Sequence, residues 1–98
     1  MTSEERRARD LRNKYGITPE QYDQLLEAQG GLCAICRGPQ RGRRPVLAID
    51  HCHESGLVRA LLCDYCNFKV GIYENSRVEV EEFLGKYGQG NSLLYGLG

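Results

Sequence analysis

Apolar positions along the chain cluster in separate stretches, and their spacing changes from one stretch to the next. Tyr22, Leu25, Leu26 and Ala28 recur at helical spacing. Thr18 suits the N-cap before them, Pro19 the first helical position, and Gln21 stands three after Thr18 as in a capping box. Gly30 and Gly31 end the pattern, which predicts a helix at about 19–29. Pro45 to Asp50 and Leu57 to Leu62 are short apolar runs around the turn-like His53-Glu-Ser-Gly56, which predicts a hairpin at about 46–62. Asp64 to about Tyr73 reads as a helix. A further helix is predicted from about Arg77 to Tyr87, capped by Asn75 or Ser76, with Val78, Val80, Phe83 and Leu84 as its buried positions.

The ends differ from this middle. Ser3 to Lys14 is charged, with Leu11 its only strongly apolar residue, and reads as a solvated helix or a frayed arm. Gly88 to Gly98 is glycine-rich and carries Leu93, Leu94 and Tyr95, so it is either a mobile end or a segment that docks on another subunit. The pattern predicts an α+β protein with an arm or helix at 1–14, a folded domain at 15–87 and a tail at 88–98.

Composition narrows the class. A chain of 98 residues gives one small domain of marginal core, so an added constraint is expected. The 13 basic and 13 acidic residues cancel, which argues against binding nucleic acid by bulk charge. No apolar run approaches the ~20 residues of a membrane span, so no membrane partner is expected. No targeting segment is visible at the start, and the cytosol is the expected compartment.

The five cysteines supply the constraint. An odd number suits a disulfide framework poorly, and spaced cysteines in a cytosolic protein point to metal or catalysis. Cys33-x-x-Cys36 and Cys63-x-x-Cys66 share one spacing. Two such turns complete a tetrahedral thiolate shell for zinc, clamping the hairpin to the helix that follows. A closed shell leaves no open position, so this zinc is expected to be structural. A redox dithiol or chance buried cysteines are the rival readings. Cys52, the fifth cysteine, reads as a small buried hydrophobe.

His51 and His53 are the chain's only histidines, beside Asp50 at the end of the first strand. Period two places both imidazoles on one side. Taken alone, the pair is equally a second metal site, a surface pair or a catalytic group.

The order of these parts is more specific than any one of them. Cys33-x-x-Cys36, Asp50-His51-x-His53, a hairpin, then Cys63-x-x-Cys66-Asn67 and a helix resembles the phage endonuclease VII family of His-Me finger, or HNH-like, nucleases. Tyr15-Gly-Ile-Thr18, Gln21-Tyr22, Gln29-Gly-Gly31 and Val58-Arg-Ala-Leu-Leu-Cys63 look like its signature positions. The resemblance runs from about Tyr15 to Tyr87. It implies a small zinc-stabilised ββα-metal domain with flanking helices. It also implies that Asp50 and Asn67 hold a catalytic Mg2+ or Mn2+, that His51 is the general base, and that His53 contacts phosphate or assists proton transfer. Cys33, Cys36, Cys63 and Cys66 match the structural zinc ligands. The family often carries an acidic residue three positions after the asparagine, where this chain has Val70.

The chemistry is coherent. Phosphodiester hydrolysis needs an activated water and neutralised charge on the phosphate and leaving oxygen. Simple alternation puts Asp50 and His51 on opposite faces, so a bulge or strand end is expected there. Arg37, Arg41, Arg43 and Arg44 lie close together in a loop without an acidic residue. They read as DNA-backbone contacts or as a solvated loop, with Arg59 and Lys69 as further candidate contacts.

The function that follows is a divalent-metal DNA endonuclease. The resemblance points to branched DNA such as Holliday junctions, to a homodimer, and to a phage protein acting in the bacterial host cytoplasm. An HNH-type nicking enzyme on duplex DNA is the alternative enzyme. A non-catalytic zinc module that binds nucleic acid is the alternative of another class.

Overall fold

Thr2 and Glu5 start the first helix by capping one another. The Thr2 hydroxyl accepts the Glu5 N–H at 3.1 Å, and the Glu5 carboxylate accepts the Thr2 N–H at 3.4 Å. Helix α1 then spans Ser3–Tyr15, with Glu4 and Glu5 in its first turn and Arg12 and Lys14 in its last, each sign matching the helix dipole. Gly16, at φ 70°, closes it by donating to the Arg12 carbonyl. Of the two readings of this segment, the helix is the one observed, and Leu11 is its buried residue. The structure, a computed structural model, describes residues 1–96; the last two positions of the tail lie outside the described residues.

Helix α2 spans Pro19–Ala28 and carries the expected capping box: Thr18 accepts from Gln21 N–H at 3.1 Å, and the Gln21 carboxamide accepts from Thr18 N–H at 2.8 Å. Tyr22 is buried, Leu25 and Leu26 are half-buried, and Gly30 and Gly31 turn the chain at positive φ. The hairpin is shorter than its apolar runs. Strand β1 is Ala48–His51 and strand β2 is Val58–Leu62, paired antiparallel. Ala48 faces Leu62, Ile49 faces Leu61, Asp50 faces Ala60, and His51 faces Val58. The register therefore slips between Asp50 and His51, and Arg59 is the additional residue of a bulge. Leu11, Tyr22, Leu47, Ala48, Leu61 and Leu62 form the core with Cys33, Cys63 and Cys66.

Helix α3, Asp64–Tyr87, differs from expectation. It is one helix, not two. Glu74-Asn75-Ser76, read as a boundary, holds neither proline nor glycine. Asn and Ser cost under about 0.7 kcal/mol each inside a helix, too little to break it. Val78, Val80, Phe83 and Leu84 are exposed, not buried. Helical spacing reports which residues share a face but not what covers that face. In the tail, Asn91 caps the short helix α4, Ser92–Tyr95, by accepting the Leu93 N–H at 2.9 Å. The chain divides into two compact units, Met1–Asn67 and Phe68–Gly98, with α3 beginning in the first. Among the described residues no helix is long and apolar enough to cross a membrane.

Candidate metal centre and active site

The two cysteine pairs meet in the first unit. The four Sγ atoms of Cys33, Cys36, Cys63 and Cys66 lie within 4.8 Å of one another, and Cys36 and Cys63 are 3.9 Å apart. Sulfurs on a tetrahedron of zinc–thiolate bonds stand ~3.8 Å apart, so the cluster fits that ion. Local backbone geometry builds each half. Arg37, at φ 62°, bends the first turn so that Cys33 donates its N–H to the Gly38 carbonyl at 2.8 Å, and Gly38 donates its own to Cys36 Sγ at 3.4 Å. Cys63 precedes α3 and Cys66 lies in its first turn, where the Asn67 N–H closes on the Cys63 carbonyl at 2.9 Å.

Electrostatics in the cluster favour a cation. Burial opposes ionisation of Cys33, but N–H donors from Cys63, Cys36 and Ile35 outweigh it and bring that thiol down to about 6. Burial and the neighbouring sulfurs push Cys66 up to about 12. Four thiolates cannot ionise together at this separation without positive charge between them. A metal ion such as zinc supplies that charge, and these residues could hold it.

Asp50, His51 and His53 lie toward the turn end of the hairpin, whereas Asn67 lies in the first turn of α3 beside the cysteines. The register shifts between Asp50 and His51, with the additional residue, Arg59, on β2 and not on the strand that carries them. The His51 ring packs edge-on to Tyr15, centroids 5.6 Å apart, and 5.2 Å from the His53 ring. His53 stands in the turn, which closes through Gly56 N–H to the Cys52 carbonyl at 2.7 Å. Asp50 takes two hydrogen bonds from Arg59, Nε to Oδ2 at 2.6 Å and Nη2 to Oδ1 at 2.8 Å. Asn67 is half-buried in the first turn of α3, held by the same backbone that carries the cysteines. Cys52 is half-exposed where burial was expected, because it sits at the strand end, with the Ser55 N–H 3.5 Å from its sulfur.

The arginine loop is exposed and latched to α3. Asp64 donates its N–H to the Arg41 carbonyl at 3.0 Å and accepts the Arg44 N–H at 3.1 Å. The Arg44 N–H holds the Asp64 carboxyl below the usual range, against the cost of desolvation, with help from Gln40 and the Arg44 charge. Arg41 lies over the Tyr65 ring, 5.3 Å from its centroid, and the thiolates of Cys36 and Cys63 keep its guanidinium firmly protonated. Arg37 and Arg43 are also exposed. Lys69 is exposed in the second unit. In the first unit, a cleft of about 460 Å3 between α1 and β1 is lined by Arg6, Arg7, Lys14 and Arg44, with Asp10 among them and Tyr15 on its wall.

Sequence reasoning missed two contacts. The placement of Tyr15 beside His51 had no local signal. The fork of Arg59 onto Asp50 had a weak one, a lone cation in an apolar strand across the hairpin from an aspartate.

Comparison with known proteins agrees with this layout. Residues 8–87 match the family described as recombination endonuclease VII. The Gene 59 protein of Mycobacterium phage D29 is 51% identical over 53 residues, which are 54% of this chain and 32% of that protein. The Gene 59 protein of Mycobacterium phage L5 is 49% identical over 53 residues, with the same shares. The chain thus spans about a third of the length of these curated relatives. No solved structure matches. Because the family match covers most of the sequence, including both cysteine pairs and the Asp50–His53 segment, the chain belongs to the recombination endonuclease VII family.

Proposed function

We propose that this protein is a DNA endonuclease that uses a divalent metal, with Asp50, His51, His53 and Asn67 as its active site on a His-Me finger. The observation that carries this reading is the bulge at Asp50 and His51 in a chain of this family. There, at the turn end of the strand, Asp50 meets Arg59 while His51 meets Tyr15 and His53.

His51 takes the proton of the attacking water, the general-base role an imidazole nitrogen serves. The Tyr15 ring limits its rotation, and small misplacements of a base cost large factors in rate. His53, close to His51, hydrogen-bonds the phosphate. Asp50 and Asn67 offer hard oxygen donors, the type Mg2+ and Mn2+ prefer, and such ions are often held by few protein ligands together with waters and phosphate oxygens. When bound there, the ion neutralises charge on the phosphate and the leaving oxygen. The structural zinc acts through geometry, because it fixes the start of α3, and with it Asn67, against the hairpin. Arg37, Arg41, Arg43 and Arg44 contact the DNA backbone.

Branched DNA as substrate and a homodimer are the finer readings the family supports. The exposed Phe83 and Leu84 of α3 are compatible with a second copy.

The test is cleavage by zinc-loaded protein with Mg2+ or Mn2+ of a labelled four-way junction and of a linear duplex of matching sequence. Cutting is expected, and His51→Ala is expected to lower it by about 10²–10⁴-fold. Cutting of the junction alone supports the resolving role. Equal nicking of both moves the function to a nickase. No cutting by folded, zinc-loaded protein makes the chain a non-catalytic zinc module.

A further inference from the structure

Arg59 is the residue that the bulge adds to β2, between Ala60 opposite Asp50 and Val58 opposite His51. A bulge re-aims a side chain that regular pleating would send elsewhere. Here the guanidinium lies on Asp50, with one nitrogen on each carboxylate oxygen at 2.6 and 2.8 Å. The Asp50 side chain is only 13% exposed and that of Arg59 36%, so the pair is partly withdrawn from water. A planar fork takes up one acceptor site on each oxygen. A divalent cation on Asp50 must use a remaining site beside the fork or displace one of its arms. It would also sit within a few ångströms of a fixed positive charge.

We propose that Arg59 is a positioning residue that holds the cation's place on Asp50. In the free protein it keeps the carboxylate aimed. It yields at least one oxygen when the divalent ion arrives, and it thereby holds the metal affinity of the DNA-free protein down. The displaced arm of the guanidinium is then offered to a phosphate. Metal and DNA binding are coupled through this exchange, because each removes part of what Arg59 opposes in the other. The inference rests on the reading of Asp50 as a metal ligand.

The experiment measures Mn2+ affinity by electron paramagnetic resonance, on zinc-loaded protein without DNA, for wild type, Arg59→Ala, Arg59→Lys and Asp50→Ala. Zinc content and circular dichroism check folding. Arg59→Ala is expected to bind Mn2+ about tenfold more tightly than wild type, an ordinary size for a coupling between two sites. Arg59→Lys is expected to fall between them, since an ammonium makes a point contact and not a fork. The lysine variant carries the test if the alanine variant does not fold. Binding no tighter in either variant overturns the proposal and leaves the nuclease reading standing. Asp50→Ala is expected to abolish this site. If it binds Mn2+ as wild type does, there is no cation at Asp50 for Arg59 to oppose, and both readings fall. In a His51→Ala background, adding junction DNA should tighten Mn2+ binding more in the presence of Arg59 than in Arg59→Ala. An equal gain in both excludes the exchange onto phosphate.

Discussion

Gln29 spends both ends of its carboxamide on one residue, Leu61. Its Nε2 donates to the Leu61 carbonyl and its Oε1 accepts the Leu61 N–H, each at 2.9 Å. The same Nε2 donates to the Leu32 carbonyl at 2.8 Å. Leu61 is fully buried in β2, and these backbone groups turn away from β1. Gln29 therefore acts as a one-residue strand on the open edge of the hairpin, tying the end of α2 to the sheet and to the residue before Cys33. Gln29→Leu leaves the Leu61 N–H without its partner, while the Leu61 carbonyl keeps the Ala34 N–H at 3.1 Å, and one unsatisfied buried group of this kind costs about 1–3 kcal/mol. A loss of about that size is expected by urea denaturation of zinc-loaded protein. Gln29→Glu should be at least as damaging, because a carboxylate accepts from Leu61 N–H but faces two carbonyls it cannot donate to.

The contrast between Gln29 and Thr18 shows what was readable in the sequence. The Thr18–Gln21 box, the Gly30–Gly31 stop, the hairpin and the paired cysteines obey rules that act within a few residues, and each stands where expected. A register shift beside Asp50 was also expected, but the residue it adds, Arg59, lies on the opposite strand. Gln29 reaches a residue far along the chain, and no spacing rule announces that. Arg59 read as a DNA contact because its partner depended on which residue the bulge would add. The division of α3 failed because Asn75 and Ser76 cap helices well yet interrupt them poorly. Its apolar residues named a face and left its cover undefined.

Zinc removal should unfold the first unit. The core of Met1–Asn67 includes Cys33, Cys63 and Cys66 themselves, so an ion held by them would close the hydrophobic centre. One zinc per chain is expected by elemental analysis. A strong chelator should abolish the cooperative thermal transition, and restoring zinc should return it. Four freely titratable thiols in folded protein purified without chelator would exclude a structural metal.

Tyr22 should make stability fall in alkali. Its hydroxyl donates to the Leu47 carbonyl at 2.7 Å, in the core between α2 and the start of β1. Burial pushes the phenol above the ordinary value of 10.0, and Asp23 adds to this, while the Arg7 guanidinium over the ring opposes it. A folded pKa raised above the unfolded one means the contribution is complete below about pH 10 and is lost as pH rises through the folded value. Tyr22→Phe should cost about 1 kcal/mol at neutral pH, the net worth of a typical hydrogen bond. It should also flatten the alkaline fall in urea midpoint. An unchanged fall would place the titration elsewhere.

Gly42 decides whether the arginine loop keeps its shape. It sits at φ +127°, a conformation side chains rarely adopt, and a Cβ built there would overlap the Asp64 side chain. Asp64 is the latch, since it accepts the Arg44 N–H and pairs with the Arg44 guanidinium at 3.9 Å. Gly42→Ala therefore strains the backbone and forces Asp64 out of reach of Arg44. The expected cost is at least about 1–3 kcal/mol for the strained residue. The arginines then lose their fixed spacing without losing their charge. DNA affinity should drop, while the salt dependence stays near wild type because the cations remain. Arg41→Ala, Arg43→Ala and Arg44→Ala combined should act differently: each lost phosphate contact lowers the slope of log affinity against log salt by about 0.9. Binding titrations across a salt series separate the two effects. Gly42→Ala should shift the line, and the triple variant should tilt it. A triple variant with the wild-type slope would remove this loop from the DNA interface, whatever its effect on stability.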